Sequence, residues 1–294
     1  IAGRWCHSAP LPAVPLTSRY LLSLSSRTVS RNFLSHLRDV AKTKRTRDRE
    51  RVFVLEGTKP ILELVRSAPR QIVCLVVAST FLERQSPDVV QAIVSSGCTV
   101  HTCPEHQLAQ LSDVETSSGA LAIVHQPIWD QAAILARPRV FGLYGDVLQD
   151  PANIGTIIRT AAGLGVSAIW MAPHSVDVFN PKVVRATAGT LFQLPIFSHT
   201  SIENLLSLGC TILAADVGAH PHSIPIRSIQ SIPARTIVAI GSESRGLSEA
   251  VLHAATVRFT IPLKPGIESL NVATAAAIAL FHLSGLPVEQ PTAH

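Results

Sequence analysis

The chain has 294 residues, with 25 Lys and Arg against 20 Asp and Glu and a net charge of +5. Hydrophobic residues make up 47% and charged ones 15%, which excludes wholesale disorder. No apolar run reaches the roughly 18 residues of a membrane helix, so no membrane span is expected. The five cysteines, Cys6, Cys74, Cys98, Cys103 and Cys210, never form Cys-x-x-Cys, which argues for free thiols over a disulfide framework or zinc site. Cys98, His101, Cys103 and His106 come nearest to a metal cluster. They sit on a stretch that alternates like a strand and splits its side chains between two faces, so no metal is expected.

The charge is unevenly spread. Residues 1–60 hold 12 basic and 4 acidic side chains, and the remaining residues hold 13 basic and 16 acidic. Arg4, Arg19, Arg27, Arg31 and Arg38 all precede the first acid, Asp39, within a Ser-rich segment. Over residues 1–28 this composition reads as an organellar transit peptide, mitochondrial or plastid, with a disordered tail of a cytoplasmic protein as the alternative.

From Arg31 the pattern becomes regular. Phe33, Leu34, Leu37 and Val40 recur at helical spacing, followed by Lys42, Lys44, Arg45, Arg47, Arg49 and Arg51, six basic residues in ten. That block is either a phosphate-contacting edge or a solvated helix face. The apolar strand Val52–Leu55 follows. Strands are expected near 71–78, 99–103 and 120–125, with helices near 58–68, 87–96 and 105–112, making residues 29–127 a small α/β domain. Residues 128–138 read as a linker. Over 139–288, strands near 139–146, 167–172, 211–216, 236–241 and 257–263 alternate with helices near 153–164, 201–208, 247–254 and 270–284. Apolar strands alternating with helices predict an α/β fold with a parallel sheet covered on both faces.

Gly163-Leu164-Gly165-Val166-Ser167-Ala168 matches a relaxed dinucleotide-binding pattern. That chemistry needs a strand before the glycines and a helix after them, and here the order is reversed, so a helix end and turn are expected. Three other segments put polar residues where loops meet buried elements: Asp150–Ala162 with Asn153 and Arg159; Ala239–Leu247 with Gly241, Glu243 and Gly246; and Ile261–Ala277 with Ser269, Leu270 and Asn271. Singly, each allows an ordinary reading as cap, turn or ion-pair partner.

Jointly, in this order and at the C-terminal ends of strands, the three segments resemble the sequence motifs of the SpoU (TrmH-like) RNA ribose 2′-O-methyltransferases of the SPOUT class. Lys182–Gly189 is similar to that family's interior segment, and Phe53–Gly57 to its substrate-binding domain. Thr274 stands where Ser is commoner, and Leu263 where Met is usual. The resemblance implies a C-terminal α/β knot, a trefoil-knotted parallel sheet, preceded by a small RNA-binding domain. It implies S-adenosylmethionine as cofactor, held at Gly241, Gly246, Ile261 and Leu270, with Ala215 and Asp216 close by. It implies catalytic roles for Asn153, Arg159, Glu243, Ser269 and Asn271, a structured RNA as partner and a homodimer. A guanidinium keeps its proton near neutrality, so Arg159 is read as a clamp on an RNA phosphate rather than as a base. The separate front domain favours large-subunit ribosomal RNA over tRNA as substrate. A catalytically silent RNA-binding or ribosome-assembly factor on the same fold is the alternative from another class.

Overall fold

The computed structural model describes residues 27–111, 118–216, 222–242 and 245–289. Residues 1–26, most of the expected transit peptide, lie outside the described residues, as does Cys6. The described residues open with β1 (Arg27–Thr28), α1 (Arg31–Lys42), α2 (Lys44–Glu50) and β2 (Val52–Glu56). It continues through α3 (Thr58–Ser67), β3 (Ile72–Ala78), α4 (Pro87–Ser95), β4 (Val100–Cys103), α5 (Glu105–Ala109) and β5 (Ala120–His125).

Two compact units result: residues 27–34 with Gly57–Ile123, and Ser35–Glu56 with the chain from Val124 onward. Residues 35–56 therefore belong by their contacts to the second unit, although their place in the chain groups them with the first. In the first unit β1, β4, β3 and β5 are neighbours in that order, with β1, β4 and β3 parallel. Its core is aliphatic, built on Val76 and Val77 of β3, Ile93 of α4 and Ala122 of β5. Cys74 lies within it, and burial pushes its thiol up to about 11, so the neutral form packs there.

The second unit adds α6 (Gln131–Leu135), β6 (Val140–Asp146), α7 (Pro151–Gly163), β7 (Ile169–Met171), α8 (Pro181–Ala186), β8 (Ile196–Phe197), α9 (Ile202–Ser207) and β9 (Thr211–Ala215). Then come β10 (Ser223–Pro225), β11 (Arg235–Gly241), α10 (Glu249–Ala254), β12 (Val257–Thr260) and α11 (Val272–Ser284). The sheet order is β10-β12-β9-β11-β6-β7-β8, and every neighbouring pair is parallel. All seven residues of β6 are buried, as a strand covered on both faces requires. The expected α/β architecture is what forms.

Several boundaries moved for identifiable reasons. The strand expected over 257–263 stops at Thr260, because Pro262 has no N–H to continue a ladder. Gly165, from the dinucleotide-like pattern, adopts φ +71 in the turn after α7. Strands β1, β8 and β10 have two or three residues each, too few to show a period in the sequence. The expected linker contains α6, capped by Asp130, whose Oδ1 accepts from the Ala133 N–H at 3.1 Å.

Residues 35–56 are held within the second unit by ions as well as by apolar packing. Arg47, 2% exposed, donates from Nε and Nη2 to Asp177 Oδ2 at 2.9 and 2.6 Å. Its Nη1 donates to the carbonyls of Val40 and Ala41 at 2.8 and 2.9 Å, satisfying the end of α1. Arg185 of α8 pairs with Glu56 at 3.2 Å, and Phe53 packs between Phe179 and Phe192 at ring distances of 5.1 and 5.7 Å. Of the six basic residues expected at one edge, Arg47 is thus an internal strut; the other five are exposed.

Arg47→Ala leaves Asp177, whose side chain is 11% exposed, without its cation and should cost about 3–5 kcal/mol in urea unfolding. A loss below about 1 kcal/mol would show the strut to be dispensable.

Candidate active site

In an all-parallel sheet, every loop that follows a strand leaves from the same edge. Here that edge gathers the segments after β6, β9, β11 and β12, which contain the residues singled out in the sequence.

The loop after β6 leads into α7. Asp150 is the cap, its Oδ1 accepting from the N–H groups of Ala152 and Asn153 at 2.7 and 3.0 Å, and Pro151 occupies the first turn. Asn153, one possible cap on sequence grounds, is therefore not the cap of α7. Its Oδ1 accepts from Asn271 Nδ2 at 2.9 Å. Asn271 caps α11 in turn, its Oδ1 accepting from Ala273 and Thr274 N–H at 2.9 and 3.2 Å. Two helix N-termini 118 residues apart are thus tied by one amide pair. Below this point α7 packs closely against α8, because Gly155 leaves room for Ala186 that a Cβ would occupy.

Arg159 does not share the face of Asn153. It lies six residues on, roughly 120° around the helix, on the exposed side with Ala152 and Thr156. Its guanidinium faces solvent and forms no ion pair among the described residues, so it needs no buried partner.

After β11 the chain folds back on itself. Ser242 and Gly246 exchange N–H···O bonds of 3.1 and 2.8 Å, and Gly246 has φ +65. A Cβ on Gly241 would collide with the Gly246 backbone, which explains that glycine. The loop is held from below by Asp146, the buried last residue of β6, whose Oδ2 accepts from the Ser248 N–H at 2.6 Å. Sequence reasoning missed Asp146, although a carboxylate ending a wholly apolar strand was a readable signal. Glu243 lies outside the described residues.

A cavity of about 430 Å³ opens at the ends of β9 and β12. Ala215, Asp216, Ile261, Ser269 and Leu270 line it, together with Ala275 of α11. Asp216 is fixed there by Ser223, whose hydroxyl donates to its Oδ2 at 3.0 Å. Four of the six expected cofactor residues thus surround one cavity. Gly241 and Gly246 shape the loop after β11 and do not line it.

Residues 142–281 match the model of the SpoU rRNA Methylase family, and residues 54–129 match that of the RNA 2′-O ribose methyltransferase substrate-binding domain. An uncharacterised tRNA/rRNA methyltransferase of Synechocystis sp. is 31% identical over 91% of this chain and 94% of its own length. The chain belongs to the SpoU family. The mitochondrial rRNA methyltransferase 3 of Xenopus laevis is 27% identical, covering 84% of this chain and 72% of that one. Among solved structures, the AdoMet-bound rRNA methyltransferase of Sinorhizobium meliloti superposes with a TM-score of 0.75 at 25% identity, over 87% of this chain and 97% of that one. The SpoU match spans the Asn153–Asn271 tie, the loop after β11 and the cavity.

Asn271→Ala removes a helix cap and the tie to Asn153, and should lower stability by about 1–2 kcal/mol in thermal unfolding. Asn271→Asp keeps the cap oxygen and should recover most of that loss. Equal losses in the two variants would mean that the cap contributes little.

Proposed function

We propose that this SpoU-family chain transfers a methyl group from S-adenosylmethionine to a ribose 2′-hydroxyl of large-subunit ribosomal RNA in an organelle. The observation that carries this reading is the cavity between the ends of β9 and β12 and the first turn of α11. Its lining fits the cofactor. Ala215, Ile261, Leu270 and Ala275 offer apolar walls to an adenine and a thioether chain, while Asp216 offers a carboxylate to a polar end. When bound, S-adenosylmethionine supplies an electrophilic methyl group on sulfonium. The similarity to an AdoMet-bound rRNA methyltransferase supports the same choice.

What the chain's own residues must do is place the hydroxyl and exclude competing geometry. Orientation of two reactants can lower the barrier by about 7–11 kcal/mol, more than general base help of roughly 10²–10⁴-fold provides. Arg159, exposed and charged, holds an RNA phosphate and so positions the hydroxyl beside it. Asn153 and Asn271 keep the starts of α7 and α11 in register, Ser269 lines the pocket, and Glu243 is given its catalytic role by the family motif alone. Gly241 and Gly246 set the path of the loop after β11.

The front segment matched to the substrate-binding domain supports a structured RNA as partner, and the ribosomal substrates named for relatives favour rRNA over tRNA. The mitochondrial relative and the acid-free, Arg-rich residues 1–38 support an organelle. The domain plan proposed is a transit peptide over 1–28, an RNA-binding domain over 29–127, a linker over 128–138 and the methyltransferase domain over 139–288. A trefoil knot agrees with the sheet order, in which β12, last in the chain, lies between the earlier β9 and β10. A homodimer is supported by α11, where Ile278 and Phe281 are 38% and 73% exposed and would be covered by a second copy.

Arg159→Ala should lower kcat for RNA methylation by roughly 10²-fold or more while calorimetry finds S-adenosylmethionine binding intact. Ala275→Trp, which fills the cavity, should abolish that binding. An unchanged kcat in Arg159→Ala sinks the clamp, and unchanged binding in Ala275→Trp sinks the cofactor assignment. Light scattering should give twice the monomer mass, with Phe281→Glu shifting the protein to monomer; a monomeric wild type rules the dimer out.

A further inference from the structure

A second cavity, of about 420 Å³, lies in the same unit beyond the ends of β7 and β8. It is lined by Met171, Ala172 and Ser175, by the loop Ser198–Thr200, by Trp129 and by Lys44 of α2. None of these residues lines the cavity assigned to the cofactor. Strands β11 and β6 lie between the two cavities, which puts their centres roughly 19 Å apart at ~4.8 Å per strand.

Three features indicate a built site rather than a packing gap. First, backbone strain collects here. Five non-glycine residues among those described have positive φ; Arg51 (56°) and His199 (58°) line the cavity, and His174 (67°) precedes Ser175. Secondly, Ser175 lines the cavity, and its buried Oγ has no hydrogen-bond partner, so its donor and acceptor are both unmet. Thirdly, the rim is basic and aromatic. Lys44 Nζ and His199 Nε2 converge to 3.4 Å, Arg51 is exposed, and Trp129 and Phe197 are aromatic lining residues. The acid on that wall, Asp177, is already neutralised by Arg47, and Asp48 is shared with Lys44 at 3.3 Å.

Aromatic faces beside cations and one unsatisfied hydroxyl are what an unstacked nucleotide needs: a ring to stack on, a phosphate contact and a partner for a base edge. The volume admits one nucleoside and excludes a helix or strand of a protein partner. We infer that this cavity is a subsite for a nucleotide of the RNA other than the one methylated, stacked on Trp129 with its phosphate on Lys44 and His199. The spacing from the cofactor cavity makes it a selector of neighbouring sequence or shape rather than part of the reacting centre. The inference rests on the reading of the chain as an RNA methyltransferase.

The test uses the full chain, S-adenosylmethionine and RNA from cells lacking the protein. Trp129→Ala and Lys44→Gln should each raise KM for RNA roughly tenfold, with kcat and cofactor affinity unchanged; Trp129→Phe, which keeps a stacking face, should recover most of the loss. RNA carrying 4-thiouridine should photo-crosslink within residues 127–131, as read by mass spectrometry. If both variants match wild type, or if cofactor affinity falls in step with KM, the subsite is wrong. A wild type that transfers no methyl group would instead overturn the proposed reaction. The crosslink then decides the subsite by itself: its presence supports a nucleotide there and its absence removes it.

Discussion

Parallel pairing is the constraint from which the catalytic half of this protein follows. Parallel strands cannot be joined by tight hairpins, so each connection must cross a face of the sheet before the next strand begins. Every strand therefore delivers its chain to the same edge, and the residues just after β6, β9, β11 and β12 leave from it although more than half the unit separates the first from the last in sequence. The buried cost of such an arrangement is hydrogen-bonding: loops crowded at one edge expose backbone N–H groups that need acceptors. Asp146, Asp150 and Asn271 meet that demand, each accepting from the backbone of a loop or a helix start.

The amide pair between Asn153 and Asn271 couples two of these solutions. Because Asp150 already caps α7, Asn153 Oδ1 accepts a bond across the edge, and because Asn271 uses its oxygen at home, its amide nitrogen is the group that donates that bond. One residue type does both jobs since an amide carries its acceptor and its donors on separate atoms of one short side chain. An aspartate would cap and not tie; a serine would cap but reach less far.

Charge is divided between structure and surface in the same way. The basic run before β2 looks uniform in sequence, yet Arg47 is folded inward against Asp177 and the end of α1. Arg is suited to this because its planar fork can serve a carboxylate and two carbonyls at once. Its neighbours Lys44 and Arg51 remain at the rim of the second cavity, so one short segment both anchors itself and presents cations.

The parallel sheet, its helices, the three polar segments and the family were determined by the sequence alone, because periodicity, loop composition and motif order are local properties of the chain. Ala215, Asp216, Ile261 and Leu270 could be placed at one site for the same reason: each follows a legible strand or motif. What the sequence could not decide was direction and partnership. Whether Arg159 lies inside or outside α7, which of Asp150 and Asn153 caps it, and which of six basic residues turns inward all depend on what packs against each helix face. Residues 35–56 precede the first unit's main elements and yet pack with the second, and the cavity between Lys44, Trp129, Ser175 and His199 joins segments up to 155 residues apart. Only the tertiary structure decides these, since long-range packing and hydrogen-bond satisfaction choose among conformations that local propensity leaves equal.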